Sequence, residues 1–186
     1  MSIVPNTRPK QEEDVTLKII SDAGITDKVV LVGVRGYYLK TMGDPKKDDF
    51  NIYDDAIYIV SPTAYASFNA NVDPSFVMKK NKPMAVLDCG VYRFYKGKHG
   101  GRYNALRAYP EGVVLPCTRA GAPSTATYIN IHKGGDNIND KVDGVTWSKG
   151  CQTIYKPQWS AFINLVYSEM DRNGQQTVPY ILVENK

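Results

Sequence analysis

The chain has 186 residues, of which 42% are hydrophobic and 23% are charged, and its formal net charge is +4. This composition excludes a disordered or fibrous protein, and the length favours a single domain over residues 1–186, with a polar tail over about residues 1–10. Lysine and arginine are scattered, so the weak positive charge does not indicate nucleic-acid binding, although it is compatible with an anionic polymer.

No apolar run approaches the roughly 18 residues that a membrane-spanning helix needs, and the N-terminus lacks the apolar stretch of a secretory signal. We therefore expect no stable membrane insertion and synthesis without an export signal. The sequence does not indicate an oligomeric state.

The predicted elements begin with a short amphipathic helix over residues 11–24, with Gly24 as its C-cap. Residues rich in β-branched and aromatic side chains predict strands at 28–40 and 53–60. Residues 68–75 are rich in turn formers and predict an irregular segment. Further strands are predicted at 84–95, 103–109, 112–118 and 126–132.

Near the C-terminus, Pro157 opens a second amphipathic helix that ends at Asn173-Gly174. Its apolar stripe is interpreted as a core face and consists of Trp159, Phe162, Ile163, Val166, Tyr167 and Met170. A final strand is predicted at 178–184. Short strands divided by Gly and Pro turns favour a mainly β fold, either a sandwich or a barrel, with a helix near each end.

A histidine and a cysteine carry the candidate chemistry, in Ile-His-Lys-Gly-Gly at 131–135 and Trp-Ser-Lys-Gly-Cys-Gln at 147–152. Because a thiol reacts as its thiolate, we expect an imidazole or a cation to lower the pKa of Cys151. His132 is the predicted base and Lys149 adds positive charge. Alternation along a strand places His132 opposite the isoleucines at 129 and 131, so it is predicted to lie outside the core.

The remaining predicted site residues surround this pair. Gly150 allows close approach of the backbone, so the amides of Gly150 and Cys151 are the predicted oxyanion donors. The carbonyl of Gly134 is expected to orient His132, and Lys149 is expected to bind a substrate carboxylate. The other predicted substrate-binding residues are Tyr128, Asn130, Trp147 and Ser148.

Structural roles are the alternative for several of these residues, including the pair itself, since most histidines and cysteines in β domains are structural. Cys89 and Cys117 are interpreted as buried apolar residues, and His99 as an exposed residue at a hairpin tip. A zinc site from His132 and the three cysteines lacks the usual close ligand spacing. The loop at 136–144 resembles a calcium loop but lacks its closing glutamate, so neither a metal nor a cofactor is predicted.

The order of residues around the cysteine resembles the signature of the L,D-transpeptidase catalytic-domain family. That signature is a histidine ending a strand, a short loop, and then Ser/Thr-His-Gly-Cys. This chain resembles it at His132, Ser148, Gly150 and Cys151. The resemblance covers about residues 126–154, and it departs from the family at Lys149, where a second histidine is usual, and at Gln152.

The resemblance implies an L,D-transpeptidase-like β-sandwich that acts on peptidoglycan stem peptides through a cysteine nucleophile and its histidine partner. Segments at 35–38, 52–56 and 68–75 also resemble bacteriophage proteins with this domain. They imply an endolysin-like peptidase, made in the host cytoplasm and acting at the cell wall, that cleaves next to a D-amino acid. The alternatives are a transpeptidase that forms cross-links and a non-enzymatic wall-binding or virion structural domain.

Overall fold

The structure is a computed structural model that describes residues 11–37, 52–74, 83–136 and 148–185. The predicted tail at 1–10 and the loop at 41–51 lie outside these ranges. The described elements, in chain order, are α1 Glu13–Asp22, β1 Val30–Arg35, β2 Asp55–Ser61, β3 Ala64–Asn71, β4 Val86–Leu87, β5 Gly90–His99, β6 Tyr103–Ala108, β7 Leu115–Arg119, β8 Ala122–Ala126, β9 Asn130–Lys133, β10 Gln152–Ile154, α2 Lys156–Arg172 and β11 Thr177–Glu184.

Eight strands close into a barrel in the order β1-β11-β5-β6-β9-β10-β3-β2, and β4, β7 and β8 form a second, three-stranded sheet. The mainly β prediction with a helix towards each end of the chain is confirmed. The larger sheet forms a closed barrel and not the expected sandwich. Parallel pairing of β1 with β11 and of β9 with β10 lets the sheet close on itself, which leaves it no free edge.

Helix α2 buries the predicted apolar stripe, with Tyr167 at its half-buried margin. Phe162 packs edge to face on Phe68 at 5.3 Å between ring centroids. Burying one such side chain stabilises a fold by roughly 1.5–3 kcal/mol. The start of the helix is tied to the site described below, because the Lys156 amide donates to the Gly135 carbonyl at 3.0 Å. Neither helix in the described ranges combines the length and apolarity that crossing a bilayer requires.

Strand β3 contradicts the predicted irregular segment at 68–75 over residues 68–71. Residues 72–74 form no strand, and Ser75 lies outside the described residues. Asn69 and Asn71 are turn-favouring residues, but here they are buried within the strand. Their side-chain amides donate to the carbonyls of Tyr53 and Ile52, each at 3.0 Å. A buried amide that has a backbone acceptor is tolerated in a strand interior, so composition alone misled the prediction.

The strand predicted at 126–132 is interrupted in the structure. Strand β8 ends at Ala126 and β9 begins at Asn130. Tyr128, between them, has a φ of 57°, in the left-handed region that bulky residues seldom adopt. This break turns the chain so that β9 joins the barrel while β8 stays in the smaller sheet.

Candidate active site

Two short parallel strands bring the predicted nucleophile and base to one face of the barrel sheet. In the register of β9 and β10, Gln152 pairs with Ile131 and Thr153 with His132. Cys151 directly precedes β10 and therefore lies beside Asn130, whose backbone amide donates to its Sγ at 3.4 Å. Because residues two apart on a strand share a face, His132 lies one step further along the same face as Cys151.

His132 faces away from the isoleucines, as predicted, yet it is not exposed. Ile129 and Ile131 belong to the main core, on the opposite face. The His132 side chain is nevertheless only 3% exposed. The ring of His99 stacks on it at 4.1 Å between centroids, and the Tyr103 hydroxyl lies 3.3 Å from its Nδ1. The prediction that His132 is not a core residue is therefore wrong in respect of burial, although its neighbours are the rings of His99 and Tyr103 and not the isoleucines.

The protonation of the imidazole follows from one hydrogen bond. Nδ1 of His132 lies 2.8 Å from the backbone carbonyl of Lys133. Since a carbonyl only accepts hydrogen bonds, Nδ1 carries the proton and Nε2 presents its lone pair. The Gly134 carbonyl is the expected orienting group, but the carbonyl of the preceding residue, Lys133, takes this role.

Gly134 has a different role, which concerns packing. Its amide donates to the Ile154 carbonyl at 2.8 Å, and the next amide, that of Gly135, donates to the Tyr53 hydroxyl at 2.5 Å. A Cβ on Gly134 would overlap the Tyr53 hydroxyl and lie 2.9 Å from the Ile154 carbonyl oxygen. The glycine therefore lets the backbone that follows His132 pass close to Tyr53.

His99 is the functional candidate that sequence reasoning missed. It is the last residue of β5, paired with Tyr103 at the start of β6, and it is half-buried instead of forming an exposed tip. The side-chain amide of Asn130 donates to its Nδ1 at 3.1 Å. The available signal was the hairpin itself, because antiparallel pairing brings His99 and Tyr103 together. A second imidazole thus stands beside His132, supplied by β5 and not by position 149.

Burial makes both members of the pair neutral. It lowers the pKa of His132 to about 4, helped by the charge of His99 and opposed by the Lys133 carbonyl. It raises the pKa of the Cys151 thiol to about 11, against the opposing hydrogen bond from Asn130. The expectation that a cation or imidazole lowers the pKa of Cys151 is therefore wrong, because loss of hydration outweighs the available hydrogen bond.

As a residue, Cys151 is partly exposed, and its thiol points towards Tyr128. Its Sγ lies 3.8 Å from the Tyr128 carbonyl, which the left-handed backbone turns in this direction. The Tyr128 side chain is 61% exposed beside the thiol. No hydrogen bond joins the thiol to either histidine in the described structure. Transfer of its proton to His132 therefore requires the thiol to turn away from the Tyr128 carbonyl and towards the imidazole. Catalytic hydrogen bonds commonly shorten in this way only when substrate binds.

The Ser148-Gly150 turn bears on two predicted roles. The Ser148 hydroxyl accepts from the Gly150 amide at 3.0 Å and donates to the Cys151 carbonyl at 2.5 Å, and Ser148 is buried. Ser148 therefore holds the turn with its hydroxyl, and its predicted substrate contact stays a prediction. The Gly150 amide is not a free oxyanion donor, whereas the Cys151 amide donates to none of the described residues. A Cβ on Gly150 would lie 3.1 Å from that of Ala85 and 3.2 Å from Ile129 Cδ1, so any larger residue here would crowd both neighbours.

The other predicted substrate-binding residues differ in exposure. Lys149 is exposed beside Cys151, as a substrate contact requires. Asn130 is buried, with its Nδ2 used by His99, while its Oδ1 has no hydrogen-bond partner in the described ranges. Trp147 lies outside the described residues.

The remaining cysteines lie away from this face. Cys117 is fully buried, as predicted, but Cys89 is exposed, with its Sγ 3.5 Å from a Glu184 carboxylate oxygen and 3.6 Å from an Arg35 nitrogen. Partial desolvation of its sulfur nevertheless raises the pKa of Cys89 to about 11. Over the described ranges, no three His, Cys, Asp or Glu side chains gather as a metal site would require. Most of the calcium-like loop at 136–144 lies outside those ranges.

No protein-family model, curated protein or solved structure matches the chain. The likeness of residues 126–154 to L,D-transpeptidases therefore remains a prediction made from four residues.

Proposed function

We propose that the chain is a peptidoglycan-degrading cysteine peptidase, of phage-endolysin type, that cleaves a stem-peptide bond next to a D-amino acid. The observation that carries the proposal is the β9–β10 pair. It sets Cys151, a partly exposed residue, on the same face as His132, whose Nε2 is unprotonated. Membership of the L,D-transpeptidase family, its fold and its substrate belong to the proposal and are supported by the resemblance around the cysteine.

The first step forms a tetrahedral adduct on Cys151. Nε2 of His132 takes the thiol proton while the Cys151 sulfur forms a bond to the substrate carbonyl carbon. The carbonyl oxygen becomes an oxyanion that accepts a hydrogen bond from the Cys151 amide. Because thiol and imidazole are both neutral beforehand, positive charge arises on His132 only as negative charge develops on the substrate.

Collapse of this adduct forms the acyl-enzyme, a thioester, and hydrolysis of the thioester follows. The carbon–nitrogen bond breaks, and the imidazolium of His132 gives its proton to the leaving amine. The neutral imidazole then removes a proton from water, which attacks the thioester. The carbon–sulfur bond breaks and the acid product leaves. The imidazolium of His132 returns its proton to the sulfur, which restores the Cys151 thiol. If an amine replaces the water, the same steps form a cross-link, which is transpeptidation.

Product masses test the proposal directly. Purified peptidoglycan fragments are incubated with wild type, with Cys151→Ala and with Cys89→Ala, which removes an exposed thiol away from the site. We expect hydrolysis products with wild type and Cys89→Ala, and none with Cys151→Ala. New cross-links would indicate the transpeptidase. Unchanged masses with wild type, as a non-enzymatic wall-binding or virion domain would give, would reject the enzymatic proposal.

A further inference from the structure

A cavity of about 480 Å³ opens beside the candidate base. His99, Tyr103 and His132 form one wall of it. The other lining residues are Gly100, Arg102, Lys133, Gly134, Gly135, Asp136 and Lys156. Cys151 does not line the cavity, so a substrate that reacts at the thiol reaches this space past His132.

The charged side chains around the cavity are mostly positive. Lys156 and Asp136 form an ion pair with a nitrogen–oxygen distance of 2.6 Å, so their charges offset each other. Arg102 is exposed and has no ion pair with any described residue. Lys133 has none either, and its Nζ lies 4.8 Å above the centre of the Tyr103 ring. That contact holds the ammonium group at the cavity wall.

The other groups in the lining do not neutralise the charge of Arg102 and Lys133. They also do not replace these two cations as hydrogen-bond donors to a bound anion. His132 is neutral at pH 7, since burial lowers its pKa to about 4. The amides of Gly134 and Gly135 already donate to the Ile154 carbonyl and the Tyr53 hydroxyl. An anion in the cavity would therefore be bound by the side chains of Arg102 and Lys133, which offer a guanidinium fork and an ammonium group.

We propose that this cavity is a subsite for a carboxylate carried by the substrate peptide, bound by Arg102 and Lys133. The proposal rests on the proposed peptidase function, because it assumes that the reacting peptide passes from Cys151 over His132. In this role the cavity selects peptides that carry free carboxylates. Peptides whose carboxylates are amidated leave both cations without a partner and bind more weakly.

Binding to the inactive Cys151→Ala protein tests the subsite without turnover. The probes are a stem tetrapeptide with free carboxylates and the same peptide with every carboxylate converted to a carboxamide. We expect the acid to bind about tenfold more tightly, since charge-assisted hydrogen bonds are stronger than neutral ones and solvent screens part of the difference at exposed cations. Added Arg102→Gln or Lys133→Gln should each reduce that ratio about threefold. Lys98→Gln removes the same charge from an exposed position of β5 outside the cavity lining and should leave the ratio unchanged.

Inorganic phosphate serves as a competitor, to distinguish a peptide carboxylate from any small anion. Phosphate that displaces the acid at concentrations near the peptide's own Kd would contradict a subsite for the peptide. Equal binding of acid and amide, binding of neither at millimolar concentration, or a ratio that survives the Arg102→Gln/Lys133→Gln double change would each overturn the subsite. If the acid is preferred but wild type turns over neither peptide, the peptidase proposal fails and the subsite stands. If wild type cleaves the acid and the amide peptide equally, the subsite fails and the peptidase proposal stands.

Discussion

Acidification should destabilise the fold through His132. Burial lowers the pKa of this imidazole to about 4, whereas a histidine in an unfolded chain titrates near 6.5. Between these values the unfolded state binds more protons than the folded state, so stability is lost as the pH falls through that window. A pKa difference of about 2.5, at 1.36 kcal/mol for each pH unit, gives a loss of about 3 kcal/mol by pH 4. Little of this is screened, because the side chain is 3% exposed.

The assay compares urea unfolding of wild type and His132→Gln at pH 7, 5.5 and 4. The substitution itself changes stability, but that offset is common to every pH and cancels from the pH dependence. We expect the wild type to lose about 3 kcal/mol more than the variant between pH 7 and pH 4. The chain has only two histidines, so NMR titration of their ring protons measures the pKa of His132 directly once one variant has assigned them.

Equal losses of stability in the two proteins would refute this reasoning. So would a His132 ring that titrates near 6.5. Either result would mean that the imidazole is hydrated in the folded protein and that the stacked, buried arrangement with His99 does not form.

Three further predictions concern the same site. At pH 7 iodoacetamide should alkylate Cys151 roughly 300-fold more slowly than a thiol with a pKa of 8.5, because a pKa of about 11 leaves only about 0.01% thiolate. Mass spectrometry of the alkylated peptides measures the rate. The rate should be unchanged in His132→Gln, because the thiol forms no ion pair with His132. Gly134→Ala should destabilise the fold by about 1–3 kcal/mol through overlap with Tyr53, measured by urea unfolding; a neutral effect would contradict the close packing. His99→Phe keeps an aromatic ring but removes a charge, so the pKa of His132 should rise in the NMR titration, and a fall would contradict the electrostatic contribution of His99.

Periodic patterns predicted the parts of the fold that depend on local sequence. The stripe of α2 from Trp159 to Met170 is buried as its spacing indicates, because an amphipathic helix has one way to cover its apolar face. Closure of the barrel depends on pairing between β1 and β11, which lie about 150 residues apart in the chain. No local signal encodes such a contact. Strand β10 has three residues, too few to show a period.

The features of the site also divide into those that local sequence predicts and those that depend on contacts distant in the chain. Alternation along β9 predicted correctly that His132 faces away from the isoleucines, and the parallel register then places Cys151 on that face. The burial of His132 depends on His99 and Tyr103 from a hairpin elsewhere in the chain, and this reversed the expected ionisation of the pair. The role of Gly150 also depends on a distant contact, since Ala85 packs against it.

The most direct test of the central claim is the intact mass of the protein after rapid mixing with a stem peptide and acid quench. Nucleophilic attack by Cys151 predicts a thioester adduct equal to the peptide without its leaving amine, located on Cys151 by peptide mapping. It should be absent from Cys151→Ala and form at least about 100-fold more slowly in His132→Gln, the range expected when a general base is lost. Product formation by wild type without an adduct at any quench time, or turnover by Cys151→Ala, would contradict the account.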